Sequence, residues 1–312
     1  MSKLTFIFPA ILLLVLTSIK ANAQTDAVYS QSLFNTQLAN PAYAGTWSGT
    51  GYMMNIRRQW IGMEGAPSTQ SLTFQQQHFR QNAGWGLHIL NDRLGKERKV
   101  SLLGDYSYRI ETNWRSWLYF GIRFGITGYR NNLDLYNTYD PNYDFDPAFQ
   151  GMVERYLIPN FGIGFLLQSD DYQIGFSVPR LIQLEYSSDV SRLITYSELR
   201  HYLLSGSKVY RLSYHVFIKP SIRLMLVRGA PLEINPSLDV LLYPKFWIGG
   251  FYRYNESAGA TLQWVFSRNM RFGYIFEFPA NRFSRQQFGT HELMFSYEVN
   301  FTRNNRYNFR FY

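Results

Sequence analysis

The stretch Met270–Phe278, "MRFGYIFEF", decides the fold class, because apolar and polar side chains alternate along it. One face carries Met270, Phe272, Tyr274, Phe276 and Phe278, and the opposite face carries Arg271, Gly273 and Glu277. A period of two residues is the pattern of a β-strand with one apolar face. Ala258–Ser267 ("AGATLQWVFS") and His291–Phe301 ("HELMFSYEVNF") show the same alternation. This part of the chain is therefore predicted to be a series of β-strands.

The alternation continues along the chain and predicts about fourteen strands. We place them near residues 49–60, 67–77, 83–91, 99–110, 116–128, 158–168, 172–178, 201–212, 217–228, 233–243, 246–254, 258–267, 270–278 and 290–301. Most approach the roughly 9–11 residues that a strand needs to cross a bilayer, against about 5–6 in an average soluble strand. The connections alternate between tight turns, such as Ser169–Asp171, and long loops, such as Tyr129–Leu157 and Pro179–Arg200.

Two classes of protein contain strands of this kind. A soluble β-sandwich buries the apolar face, whereas a membrane barrel turns it to lipid and encloses the polar face. Alternation alone does not separate them, but strand length and the alternating connections favour the barrel. The predicted fold is all-β: a transmembrane outer-membrane β-barrel of about 14 antiparallel strands, with short periplasmic turns and longer extracellular loops. A secreted soluble β-domain is the alternative.

Residues 1–23 have the features of a secretory signal peptide. Met1–Lys3 is short and basic, Phe6–Leu16 is apolar, and Ala21–Ala23 is a small-x-small cleavage pattern. We therefore expect export to the cell outer membrane, a periplasmic lead-in segment over residues 24–48 and a transmembrane β-barrel over 49–312. The chain has no cysteine, which excludes a disulfide framework and a thiolate metal site.

The charge is basic, with a formal net value of +9. The signal peptide contains Lys3 and Lys20 and no acidic residue, so the remainder carries +9 − 2 = +7. In an exported barrel, such a balance indicates a basic lumen or contacts with anionic outer-membrane lipid. The sequence contains no Lys/Arg-rich run and no nucleic-acid-binding motif, so we expect no nucleic-acid partner.

No motif predicts catalysis. None of the five histidines belongs to an HExxH pattern. His291 and Glu292 are adjacent, but neighbours on a strand point to opposite faces, so they do not form a natural catalytic or metal pair. We predict that the protein is not an enzyme and has no catalytic, metal or cofactor site.

Alternation also assigns individual side chains. Arg57 and Gln59 are predicted to point into the lumen, and Trp60 is predicted to lie in the aromatic girdle. Interface anchoring is expected for four further tryptophans: Trp114, Trp117, Trp247 and Trp264.

Several blocks closely resemble one protein family. They include "FNTQLANPAYAG" at Phe34–Gly45, "RRQWIGMEGAPSTQSL" at Arg57–Leu72, "YQIGFSVPRLI" at Tyr172–Ile182 and "GTHELMFSYEV" at Gly289–Val299. In their order and content these blocks resemble the PorP/SprF family, outer-membrane proteins of the Bacteroidetes type IX secretion and gliding machinery. One departure is Asn35-Thr36, where the family tends to have Asn-Pro.

The resemblance implies a barrel without enzymatic activity that supports export or surface attachment of secreted, adhesin-like proteins. It implies an exported surface protein as partner, together with periplasmic type IX machinery or a peptidoglycan-associated protein. The family motifs assign structural or partner-binding roles to twelve residues: Asn40, Pro41, Tyr43, Gly45, Arg57, Gln59, Trp60, Gly62, Gly65, Pro67, His291 and Glu292.

The segment before the first strand separates the possible functions. Pro41 restricts Asn40 to extended or turn geometry and Gly45 permits a positive φ, so the segment can form an ordered lead-in across the periplasmic mouth. Tyr43 and Trp47 would then anchor it; a plain coil is the alternative. An open lumen would favour an outer-membrane channel for small solutes, whereas a lumen closed by this segment or by inward arginines would oppose it.

Overall fold

The computed structural model describes residues 33–47, 49–78, 81–113, 115–132, 153–183, 185–187, 194–197, 199–243, 245–254, 256–267, 269–280 and 287–300. The strands are β1 Gly49–Arg58, β2 Ser68–His78, β3 Ala83–Leu94, β4 Glu97–Asn113, β5 Ser116–Asn132, β6 Val153–Ser169, β7 Tyr172–Val178, β8 Glu185–Ser187, β9 Ile194–Ser197, β10 His201–Lys208, β11 Tyr210–Arg211, β12 Val216–Val227, β13 Glu233–Leu242, β14 Phe246–Arg253, β15 Ser257–Val265, β16 Met270–Pro279 and β17 Thr290–Asn300. A one-turn helix, α1 (Thr36–Ala39), and a 3₁₀ turn (Pro41–Tyr43) precede them.

The strands form a closed antiparallel barrel. β1 pairs with both β2 and β17, and β10 pairs with both β7 and β12, which closes the ring. β10 and β11 both pair with β12 and form one strand interrupted at Val209, so the described barrel has fourteen strands. β8 and β9 form a separate hairpin within the connection from β7 to β10.

The predicted fold class is confirmed. The strand bounds agree with the alternation pattern, but β4, β5 and β6 reach 17 residues each and extend further toward the longer-loop end than predicted. The alternation of connection lengths is not strict, because only Gly95 and Lys96 join β3 to β4 at that end. Gly95 has a φ of +58°, which a tight hairpin turn requires.

The two faces of the wall differ in polarity. The outer face displays apolar side chains such as Leu87, Leu102 and Phe124, whereas the inner face buries polar ones such as Asn55 and Thr73. This distribution is the reverse of a soluble sandwich and is the arrangement expected when lipid surrounds the wall. Among the described residues, no helix is long and apolar enough to cross a membrane.

The prediction for the tryptophans was wrong at two positions. Trp264 is 43% exposed on the outer face, as expected, but Trp247 is 1% exposed and faces the lumen, where the Lys219 ammonium lies 5.0 Å from its ring. Trp117 is on the inner face of β5, and the Arg109 guanidinium lies 4.6 Å from its ring. Both tryptophans therefore stack against lumen cations. Trp114 lies outside the described residues.

Other predictions also fall outside the described residues. They are the signal peptide (1–23), the first part of the lead-in segment (24–32), most of the Tyr129–Leu157 loop (133–152) and the chain from 301 onward.

The outer face provides a test of which side meets lipid. Leu87 lies outward near the middle of β3, so Leu87→Arg should destabilise the folded barrel by about 2–4 kcal/mol. Val100→Arg, outward near the longer-loop end of β4, should cost only about 0–1 kcal/mol. Denaturant titration in lipid vesicles measures both, and equal costs at the two depths would contradict the assignment of the faces.

Candidate functional site

Residues Leu33–Trp47, hereafter the lumen segment, lie inside the barrel. Leu38, Ala42 and Ala44 are fully buried. The local sequence explains the fold of the segment: the Asn40 side chain accepts a hydrogen bond from the backbone N–H of Ala42 (2.9 Å), and Pro41 starts the 3₁₀ turn with its φ already fixed. Such a short helical piece is not stable alone, so its contacts with the wall must hold it.

Asn40 joins the lumen segment to two strands. Its Nδ2 donates to the backbone carbonyl oxygen of Phe165 on β6 at 3.0 Å and to that of Phe176 on β7 at 3.4 Å. The same side chain therefore orders the turn and fixes it to the wall. Next to it, the Ser177 hydroxyl donates to the carbonyl of Ala39 at 2.8 Å.

Arg123 on β5 holds the end of α1. Its guanidinium donates to the carbonyl oxygens of Gln37 and Leu38, both at 2.7 Å, where the helix leaves these acceptors unpaired. The same guanidinium binds both carboxylate oxygens of Asp105, at 2.6 and 2.8 Å. Positive charge at a helix C-terminus and a bidentate carboxylate pair are both favourable arrangements.

The network continues back to the lumen segment through His88. The His88 Nε2 lies 2.8 Å from Asp105, and its Nδ1 lies 2.9 Å from the Thr73 hydroxyl. Asn35 donates to that hydroxyl at 2.6 Å. Polar side chains of β2, β3, β4 and β5 thus find partners in one another and in the segment, as buried polar groups must.

Glycines on the inner face let the segment approach the wall. A Cβ at Gly121 of β5 would overlap the backbone of Pro41 and Ala42, and one at Gly84 of β3 would overlap that of Ala44 and Gly45. Gly45 itself has a φ of +72°, so it serves both the turn and the contact. Both the wall and the segment therefore have glycines where their backbones approach closely.

Apolar contacts also hold the segment against the wall. In one cluster, Phe34 and Trp47 pack with Met53, Ile275 and Met294 of the wall. A second cluster consists of Ala42 and Tyr43 of the segment with Tyr119 and Leu166 of the wall. Burial raises the pKa of Tyr43 to about 12, while a hydrogen bond with Ser205 and the charge of Arg223 act in the opposite direction. The phenol is therefore neutral at physiological pH.

A second charged group lies in the lumen toward the longer-loop end. Arg57 of β1 pairs with Glu277 at 2.7 Å and with Glu292 at 3.3 Å, and Arg253 pairs with Glu277 at 3.2 Å. Asn55 donates to Glu292 at 3.1 Å. These inward arginines are compensated by carboxylates of neighbouring strands, as buried charges require.

The loop between β1 and β2 is hydrogen-bonded to two neighbouring connections. We call this assembly the rim platform; it consists of Gln59–Pro67, Gln287–Gly289 and Leu94–Gly95. Ile61 donates to the carbonyl of Gly289 at 3.0 Å, and Phe288 donates back to that of Ile61 at 2.8 Å. Gly95 donates to the carbonyl of Gly65 at 2.8 Å. The platform exposes 76% of Phe288 and 38% of Trp60.

The twelve predicted residues fall into separate places. Asn40, Pro41, Tyr43 and Gly45 belong to the lumen segment; Arg57 and Glu292 belong to the charged group; Gln59, Trp60, Gly62, Gly65 and Pro67 belong to the rim platform. His291 stands on the outer face, where its Nδ1 lies 2.6 Å from the Tyr274 hydroxyl, so it does not act with the inward Glu292. Within the described ranges, no group of three or more His, Asp or Glu side chains could hold a metal ion.

Sequence reasoning missed the residues that hold the segment most directly. Arg123, Asp105 and His88 are single charged or ionisable residues on the inner faces of three strands. Their placement in the middle of otherwise apolar alternating stretches was the available indication.

The segment does not fill the whole lumen. Between it and the wall of β7, β10, β12 and β13 lies a solvent-connected cavity. Its lining includes Ser205, Ser221, Ser237, Lys219 and Arg223. The segment therefore contacts much of the wall but leaves this space unfilled.

Comparisons with known proteins agree with this architecture. A family model described as "Type IX secretion system membrane protein PorP/SprF" matches residues 21–297, which confirms the resemblance. No curated protein matches the chain.

Among solved structures, the CymD monoaromatic hydrocarbon channel is similar at 12% identity and a TM-score of 0.50, covering 85% of this chain and 93% of that one. The TodX deltaS2S3 mutant monoaromatic hydrocarbon channel is similar at 8% identity and a TM-score of 0.50, with coverages of 85% and 94%. Omp33 of Acinetobacter baumannii has 7% identity and a TM-score of 0.47, with coverages of 81% and 99%. At such identities the likeness to the two hydrocarbon channels shows the fold alone.

The seat of the lumen segment can be tested with glycines of one strand. Gly121→Ala should cost about 1–3 kcal/mol and raise amide exchange in residues 37–45, because the new methyl group overlaps the segment. Gly128→Ala is the control, since a Cβ there would have only a carbonyl oxygen at 3.8 Å nearby. Thermal unfolding and hydrogen exchange measure both effects. Equal exchange in the two variants would contradict the observed seat.

Arg123 provides a second test. Arg123→Met should destabilise the barrel by about 3–5 kcal/mol, because Asp105 stays buried without its cation. Adding Asp105→Asn should recover part of this loss, which denaturant titration would detect. A double variant as unstable as the single one would show that the carboxylate is not the source of the cost.

Proposed function

The chain belongs to the PorP/SprF family of type IX secretion system membrane proteins, and from this premise we propose that it supports export or surface attachment of secreted, adhesin-like proteins. It acts as a non-enzymatic component that binds an exported protein at the outer face. Periplasmic type IX machinery or a peptidoglycan-associated protein is its partner on the other side.

The observation that carries the proposal is the seated lumen segment. Wall side chains on β2, β4, β5 and β7 hold it through polar contacts with Asn35, Gln37, Leu38, Ala39 and Ala44. A solute pore requires an open path, and here a well-bonded segment lies within the lumen and contacts the wall on several sides. The remaining polar cavity supports the rival function, a channel for small solutes, and the two functions predict different conductance.

The rim platform supports the binding part of the proposal. Binding residues tend to lie on loops that a rigid scaffold positions, and three connections fix one another here. Exposed apolar side chains at the edge, Phe288, Trp60 and Ile61, fit a protein partner better than they fit water. Family-motif residues Gly62 and Gly65 have φ values of +100° and +75° and shape this loop.

A pull-down from detergent-solubilised outer membranes tests the proposal. The tagged full chain should enrich a large exported surface protein, identified by mass spectrometry, and that protein should disappear from the cell surface when the gene is deleted. The double variant Ile61→Ser, Phe288→Ser should lose it. The control is Leu212→Ser, Tyr214→Ser, which removes two exposed apolar side chains at the opposite end of the barrel.

Conductance in planar bilayers distinguishes the secretion role from the rival function, a channel for small solutes. The complete protein should conduct poorly, and removal of residues 33–47 should raise the conductance strongly. Pore-like conductance by the complete protein, together with recovery of the barrel alone after mild cross-linking, would replace the secretion role by the channel.

A further inference from the structure

Four arginines form a transverse row on one side of the barrel. Their strands are in register through Arg58↔Ser68, Ser68↔Arg93, Arg93↔Arg98 and Arg98↔Arg130. The row, hereafter the arginine row, therefore crosses β1 to β5 along a line perpendicular to the strands. His291 continues it onto β17, since it pairs with Arg58.

All four arginines are exposed on the outer face. Two residues nearer the periplasm on the same face, about 7 Å further along each strand, the level is mixed: Ile56, Gln70, Asn91, Val100 and Gly128. The next level down is apolar on every strand: Met54, Leu72, Ile89, Leu102 and Ile126. The arginine row thus lies four residues beyond this apolar level along each strand, on the side of the outer-leaflet headgroups.

Three arginines of this row have no carboxylate partner among the described residues. In the part of the chain that the structure describes, no Asp or Glu side chain pairs with Arg58, Arg93 or Arg98. Arg98 donates to the Asn91 amide oxygen at 2.9 Å, and Arg93 to the carbonyl of Gly95 at 3.4 Å. Like charges directly opposite across strands are unfavourable, so the arrangement calls for an external anion.

Cations are concentrated on this side of the outer face. On β12 to β16 the even-numbered strand residues face outward and none of them is Lys or Arg, while Arg228 is exposed directly after β12 at the same end of the barrel. The four arginines on five adjacent strands therefore form a concentrated cationic patch.

We propose that the arginine row binds the phosphate groups of an anionic glycolipid in the outer leaflet. The planar guanidinium forms paired hydrogen bonds with phosphate oxygens, and cross-strand arginines less than about 6 Å apart can share one phosphorylated headgroup. The acyl chains of that lipid would lie along the apolar side chains directly below. The site takes its ligand from the membrane and is independent of the lumen segment.

Native mass spectrometry of the full chain in detergent tests this inference, with bisphosphorylated lipid A as the probe. The wild type should retain lipid A, and the variant Arg58→Gln, Arg93→Gln, Arg98→Gln should bind it at least about tenfold more weakly. The control variant Arg115→Gln, Lys208→Gln, Arg211→Gln removes three exposed charges at the opposite end and should bind as the wild type does. Heat-modifiable gel mobility checks that each variant is folded.

Two further measurements distinguish binding of a phosphorylated lipid from binding of free phosphate. Lipid A without phosphates should bind weakly to the wild type, and inorganic phosphate at millimolar concentration should displace little lipid A. Equal binding by wild type and the first variant, or by phosphorylated and dephosphorylated lipid A, would overturn the proposal. Complete displacement by inorganic phosphate would also overturn it, because the row would then be a site for free anions.

Discussion

Every strand of the barrel needs a hydrogen-bonding neighbour on both sides, because hydrocarbon offers no partner to a peptide N–H or carbonyl group. The pairings β1–β17 and β10–β12 meet this need and leave no free edge in the ring. Closure then creates an inner surface that is shut off from lipid and can be polar. The distribution of side chains between the two faces follows from that single requirement.

A polar inner surface creates a need of its own, since buried charges are stable only when paired. The wall satisfies part of it internally, through the carboxylates that surround Arg57 and Arg253. At Arg123 the wall supplies one carboxylate, and the lumen segment supplies two backbone carbonyl oxygens. Segment and wall are therefore partners in one electrostatic arrangement, and neither is complete without the other.

The strands and their faces could be predicted from sequence because side-chain direction depends only on position within a strand. The bonds of the lumen segment could not, because they join residues far apart in the chain; Asn40 reaches the carbonyl of Phe165 on β6, for example. Trp247 was misassigned because Phe246 and Trp247 are both aromatic, so composition alone does not tell which of the two meets lipid. His88 and Asp105 are on neighbouring strands, and alternation gives their common face but not their register.

The lumen segment is joined closely to the wall, since only residue 48 separates Trp47 from β1. Its contacts follow one another along the chain, from Phe34 and Asn35 through Gln37 and Leu38 to Asn40. A pulling force applied from its N-terminal side breaks these contacts one after another, so a modest force suffices. A load spread over the whole seated segment meets many of these contacts at once. The attachment is therefore mechanically directional: it yields more readily to traction at Phe34 than to a load distributed along the segment.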